Sequence, residues 1–188
     1  MAVNVTNLIQ GPANLYGGLF GALEPVDTAI NASYIVTAGG FQDLGGTLDG
    51  VNLTIDQTWS DLDADQIIDV AGTRQVKRQV AVATKLAEPT LNNLATVLND
   101  SAPVTAAASS FYEPSDGMAA FVPAYRALLF EGFSPAGRRR WVILRKVINT
   151  EGTGFMAKKD DQGNFSVTWK TFYVSSAIRP FRVVDQTA

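Results

Sequence analysis

The chain has 188 residues, 46% of them hydrophobic and 18% charged, with a formal net charge of −3. That is enough apolar material for a substantial core, and it argues against disorder. There is no Cys and no His, which excludes disulfide staples, a zinc site of ordinary composition, and Ser-His-Asp or Cys-His catalysis within the chain.

Residues 1–32 hold Gly11-Pro12, Gly17-Gly18, Gly21 and Pro25. So many breakers interrupt any regular period. Leu8, Ile9, Leu15, Tyr16, Leu19, Phe20 and Leu23 nevertheless make the segment apolar. It reads as an extended N-terminal arm that packs on its own subunit or a neighbour, with residues 33–188 as a single β domain. On this reading the arm serves assembly more than folding, and a chain lacking residues 1–20 is expected to remain a folded monomer. No apolar run reaches the ~18 residues that cross a bilayer, and the N-terminus lacks the basic start of a secretory signal. No membrane partner is expected.

Ser33 to Thr37 reads as a short strand, and Asp49-Gly50 as a turn before the next one. Val51, Leu53 and Ile55 alternate with Asn52, Thr54 and Asp56, the pattern of a half-buried strand running to Trp59. An acidic region follows, with Asp61, Asp63, Asp65 and Asp69, and a short apolar strand is expected over residues 66–70. Gln75 to Leu86 is a second long strand, with Val76, Val80, Val82 and Leu86 on one face. Glu88 to Leu98 is the one convincing helix. Pro89 suits its first turn, and Leu91, Leu94, Ala95 and Leu98 recur at helical spacing as the expected core face. Residues 100–122 read as a loop with at most a brief strand, and Asp116-Gly117 as a turn. Strands are expected over residues 123–133, 138–149, 165–174 and 177–184, with a turn at residues 160–164. Both faces of the 138–149 strand are apolar, as in a strand covered on both sides. Close-spaced strands with Gly-rich turns indicate a mainly β fold, a sandwich or barrel with one short flanking helix.

The charge is unevenly placed. Residues 1–73 carry nine Asp or Glu and no Lys or Arg; residues 74–188 carry fifteen Lys or Arg and nine Asp or Glu. The halves therefore hold −9 and +6. Either they interleave and neutralise each other within one fold, or they form opposed surfaces that meet between subunits or line a passage. The Asp61, Asp63, Asp65, Asp69 spacing resembles the start of a calcium loop, but Gln66 stands where Gly is needed and Gly72 where a bidentate Glu is needed. No metal and no cofactor is expected. Neighbouring carboxylates on one loop do not make a glycosidase pair. Arg138-Arg139-Arg140 beside Trp141 reads first as a solvated turn, next as a basic strand edge meeting an acidic neighbour, and both come before a nucleic-acid patch, against which the overall acidity argues. No phosphate-binding glycine loop is present.

Three segments together are similar to a known family. NVTNLIQGPANLYGGLFGALEP (4–25), TKLAEPTLNNLATVLN (84–99) and KTFYVSSAIRPFRVVDQ (170–186) resemble, in the same order, segments of the major tail proteins of long-tailed bacteriophages, especially those infecting actinobacteria. The resemblance implies a β-sandwich or barrel with a flanking helix. It implies a structural virion protein, not an enzyme, in which six subunits form a ring and rings stack into a tail tube around the path of the DNA. Its implied partners are further copies of itself and other tail proteins, namely the tape measure, terminator and baseplate or tip. DNA passes through without specific binding, and the implied location is the tail tube of the virion, assembled in the bacterial cytoplasm. Under it, Asp56, Asp61, Asp63, Asp65 and Asp69 become candidates for the lumen lining or for a loop that reaches the next ring. Leu15, Tyr16, Leu19, Phe20, Arg138, Arg139 and Arg140 become candidates for subunit contacts. The alternative function is a monomeric ligand-binding β-sandwich or barrel.

Overall fold

The computed structural model describes residues 7–31, 39–63, 65, 68–100, 102–115, 123–154, 159–160 and 162–187. The expected strand at residues 33–37 and the turn at Asp116-Gly117 lie outside these. Among the described residues the fold is mainly β and antiparallel, with one α-helix. Its strands are β1 (Asn14–Leu19), β2 (Phe41–Asp43), β3 (Thr47–Leu62), β4 (Gly72–Leu86), β5 (Val104–Thr105), β6 (Ser110–Phe111), β7 (Arg126–Ser134), β8 (Arg138–Asn149), β9 (Phe165–Thr171) and β10 (Phe181–Asp185); the helix is α1 (Leu91–Val97). Eight strands form one sheet in the order β2-β1-β7-β8-β9-β4-β3, with β10 also on β8. β8 is shared along its length: Arg140 to Leu144 pair with β10, and Val147 to Asn149 pair with β9. β5 and β6 form a small separate hairpin.

β7 and β8 carry the core on both faces, as the apolar pattern of β8 predicts. Leu128, Phe130, Val142 and Leu144 join a cluster with Val80, Val82, Leu86, Val97 and Trp169. Ala127, Leu129, Trp141 and Ile143 join a second cluster with Ile30 and Phe41. Ile30 comes from a 3₁₀ turn, Asp27–Asn31, that covers this second face.

The apolar segment near the N-terminus does not behave wholly as an arm. Residues 14–19 are β1, in the sheet between β2 and β7. Leu15 is fully buried in the larger cluster. Gly17 and Gly18 are not breakers here; they are strand positions where neighbours come close. A Cβ on Gly17 would lie 3.1 Å from a Leu44 methyl, and one on Gly18 would lie 3.0 Å from the Gly40 carbonyl oxygen. Glycine inside a strand commonly marks such an approach.

Asp49-Gly50 is likewise not a turn ahead of a strand but an irregularity within β3. Leu48 pairs with Lys85 and Val51 with Thr84, so residues 49 and 50 have no opposite partners. Both adopt left-handed backbone, φ 61° and 75°. The bulge is held from β4: the Lys85 ammonium bonds Asp49 Oδ2 at 2.7 Å, and the Thr84 hydroxyl donates to the Gly50 carbonyl at 2.7 Å.

The helix is shorter than its periodicity suggests, and its buried face is different. Thr90 caps it by accepting from the Asn93 amide, a bond worth about 1 kcal/mol. Asn93, Ala95 and Val97 are buried, whereas Leu91 and Leu98 are exposed and Leu94 is half-buried against the core. Asn93 takes the inward position because its side-chain amide donates to the Leu44 carbonyl at 2.9 Å and the Glu88 carbonyl at 2.8 Å. It thereby ties α1 to the β2–β3 connection, a role that a purely apolar helix pattern does not register. Leu94→Ala is therefore expected to cost roughly 1–2 kcal/mol, less than a fully buried leucine. Leu91→Ala and Leu98→Ala are expected to leave the urea midpoint nearly unchanged. A Leu94→Ala loss well above that range would place this side chain in the core.

Candidate assembly surfaces

β3 and β4 pair over almost their whole length, from Thr47 opposite Leu86 to Leu62 opposite Gly72. β9 accompanies β4 only from Ala81 to Leu86. Beyond that point the hairpin continues as a two-stranded ribbon, Ile55–Leu62 against Gly72–Val80, with β3 on the edge of the sheet. The alternation in β4 buries Val80, Val82, Thr84 and Leu86 as its parity predicts. Val76 shares that parity but is exposed, because the ribbon has left the core and the register shifts near Thr58. Ile55, Trp59, Leu62, Ile68, Val70 and Val76 are all exposed. Of the three tryptophans, Trp141 and Trp169 are fully buried and Trp59 is 55% exposed.

The acidic residues predicted for a lumen or stacking loop lie on this ribbon. Asp56 and Asp61 are on β3, opposite Gln79 and Thr73. Asp63, Asp65 and Asp69 are at the tip, and all five are exposed. The expected short strand there is not formed at residues 68–70, while residues 66–67 lie outside the described residues. Among the described residues, no strand other than β3 and β4 runs along the ribbon to pair residues 68–70.

The charge imbalance resolves into two parts. Glu24 pairs with Arg145, Asp27 with Arg182 and Asp49 with Lys85, so part of the acidic half is neutralised within the fold. Asp56, Asp61, Asp63, Asp65 and Asp69 take part in none of the ion pairs among the described residues. The tip therefore keeps its negative charge. No three acidic side chains converge as a metal site among the described residues.

The other predicted contact residues are dispersed. Leu15 is core, and Tyr16 is half-buried against the smaller cluster. Leu19 and Phe20, at the end of β1, are exposed. Arg139 lies 3.6 Å from Glu131, and Arg140 makes a two-pronged pair with Asp185 at 2.6 and 2.7 Å, which pins β10 to β8. That pairing holds the Asp185 carboxyl below the usual carboxylate range. Arg138 is half-buried at the start of β8. The three arginines thus do not form one free basic edge, because two have acidic neighbours in the same chain.

A surface that the sequence did not single out lies next to Phe20. A groove of about 350 Å³ is lined by Phe20, Ala22, Phe41, Ala127, Ile143 and Ile178. Arg145 and Glu24 stand in its wall, joined by a bidentate hydrogen-bonded pair that raises the Arg145 pKa. Arg145 continues into an adjoining hollow with Ile178, Arg179, Phe181 and Arg182. The Lys146 ammonium sits 5.5 Å from the centre of the Phe20 ring and 4.3 Å from that of Tyr125. The available signal was Arg145 itself, a charged residue that lines this groove with Ile143 of the same strand.

No family model matches the sequence, and no curated protein matches it. Among solved structures, the chain is similar to one in the tail of an empty gene transfer agent (GTA) particle, computed with helical refinement and C6 symmetry. The TM-score is 0.38 and the identity 10%, covering 92% of this chain and 96% of the other. It is also similar to a chain in the virion of a native GTA particle, with TM-score 0.38 and identity 8%, covering 99% of this chain and 100% of the other.

Proposed function

We propose that the protein is a structural virion subunit that builds a phage-like tail tube, with six copies in a ring and rings stacked around the path of the DNA. The ribbon beyond Ile55 and Val80 carries this reading. A two-stranded hairpin with no third strand or helix upon it is marginally stable in water. This one also exposes a tryptophan and several aliphatic side chains. Such a surface marks an interaction site, and a ribbon extending from a compact sheet is suited to reach a neighbouring copy. The three segments similar to tail proteins support the same reading, and the role requires no catalysis. Tape measure, terminator and tip proteins would be the partners at the tube ends, and the assembled tail would be the location.

A tube that transmits DNA must not hold it. In a ring, one aspartate per subunit becomes a circle of like charges. Singly, such charges are screened over ~8 Å at physiological salt. Repeated along a passage, they act collectively and deny phosphate the cations that would bind it. Changing Asp61, Asp63 and Asp65 together to Lys separates the two uses: tails that assemble but eject DNA slowly, with the delay relieved as salt rises, would place these residues on the lumen. Normal ejection at low salt would remove these residues from the lumen, and tails that never polymerise would assign them to ring stacking.

The groove beside Phe20 favours a second reading, a monomer that holds an apolar ligand. It predicts a single soluble species at high concentration and an apolar probe bound stoichiometrically in the groove.

A further inference from the structure

We propose that the groove between Phe20 and Ile178 is the socket for the ribbon tip of a second copy of this chain. The inference deepens the tube reading, on which it rests, by naming the surface that receives the tip. The two surfaces match in chemistry. The tip presents Leu62, Ile68 and Val70, all exposed, among Asp61, Asp63, Asp65 and Asp69. No Lys or Arg precedes Arg74 in the sequence. The groove presents an apolar floor with cations around it.

The charges around the groove are not all available. Glu24 occupies Arg145, and Asp27 occupies Arg182. Arg179 is exposed on the adjoining hollow; its backbone carbonyl accepts a bond from Arg145, and its side chain enters none of the ion pairs among the described residues. Lys146 lies over aromatic rings, without a carboxylate in any of those ion pairs. These two cations are the complement for the tip aspartates. The apolar floor supplies the area that a rim of charges alone does not, since buried apolar anchors carry most interface energy while rim charges set register and rate.

The tip does not seat in its own groove without unpairing the hairpin. The ribbon runs outward from Val80 to Gly72, about eight residues and ~26 Å at strand rise, before the tip begins. At its root, the Arg78 guanidinium stands 5.6 Å from the centre of the Phe181 ring, beside the adjoining hollow. The ribbon thus starts beside one hollow, and its paired length separates the tip from that root.

The absence of cysteine makes the test direct. Leu62→Cys and Ile178→Cys variants, each with one thiol and an otherwise intact chain, are mixed under assembly conditions and mildly oxidised. A disulfide requires Cα atoms within about 7 Å, so a heterodimer linking tip to groove is expected in large excess over either homodimer. Thr105→Cys, exposed on the β5–β6 hairpin, is expected to give no such product with Leu62→Cys. Arg179→Glu, checked for native circular dichroism, is expected to reduce the tip–groove product several-fold, most strongly at low salt. Filaments with no tip–groove product would overturn the socket while leaving the tube. A tip–groove product in soluble oligomers without filaments would support the socket and overturn the tube. Neither filaments nor product would overturn both.

Discussion

Removing residues 1–20 is expected to abolish cooperative folding outright. The deletion takes away β1, whose six residues pair with β7 from Glu131 to Arg126, and whose Tyr16, Gly17 and Gly18 pair with β2. It also removes Leu15, which has no exposed surface. Loss of a buried leucine side chain alone costs about 2–5 kcal/mol. The unpaired backbone of β7 and the detachment of β2 add to that. A whole domain of ordinary stability has only about 5–15 kcal/mol to lose. The truncated chain is expected to show no cooperative urea transition, whereas full-length Leu15→Ala should stay folded with a lowered midpoint. A truncated chain that unfolds cooperatively would show that β1 is dispensable and would restore the arm suggested by the glycines.

Shortening the ribbon has the opposite profile, with intact folding and lost assembly. Asp56 and Gln79 are opposite one another, so a two-residue Asn-Gly turn joining them would close the hairpin in a favoured geometry. Everything deleted, from Gln57 to Arg78, lies outside both core clusters. The contact given up at the root is that of Arg78 with Phe181, worth about 0.5–1 kcal/mol at an exposed site. The urea midpoint should therefore move little. Sedimentation under assembly conditions should nevertheless find only small species, because the exposed apolar ribbon and its acidic tip are gone. Normal polymerisation of the shortened protein would exclude the ribbon from the interface. Trp59 gives a second readout in the full-length chain: as the sole exposed tryptophan it should shift to shorter emission wavelength as copies join, and Trp59→Phe should remove that shift.

The long strands were legible because one signal decided them. β8 falls where its apolar run places it, and β4 buries alternate residues from Val80 to Leu86. The departures from pattern share a cause: the local rule is sound, but a contact distant in sequence overrides it. Gly17 and Gly18 read as breakers because Leu44 and Gly40, the neighbours that demand their small size, are more than twenty residues away. The buried face of α1 departs from its leucine spacing because Asn93 is drawn inward by the Leu44 carbonyl. Asp49-Gly50 reads as a turn because Thr84 and Lys85, which hold the bulge, belong to the next strand.

The site was legible in part for a similar reason. The acidic stretch was visible in composition, and the structure places it exposed on a ribbon leaving the sheet. The groove could not be read from spacing, since its lining comes from β2, β7, β8, the residues just after β1 and the segment before β10. Arg138, Arg139 and Arg140 read as a solvated turn or a basic edge because Glu131 and Asp185, which engage two of them, are contributed by other strands.

If the chain is built to assemble through its ribbon, electron microscopy of the purified full-length protein tests it most directly. The expected result is hollow filaments with a regular axial repeat, in which the ribbon of each copy lies against the neighbouring ring. Monodisperse monomers persisting at high protein concentration, with Trp59 still solvent-exposed, would contradict it.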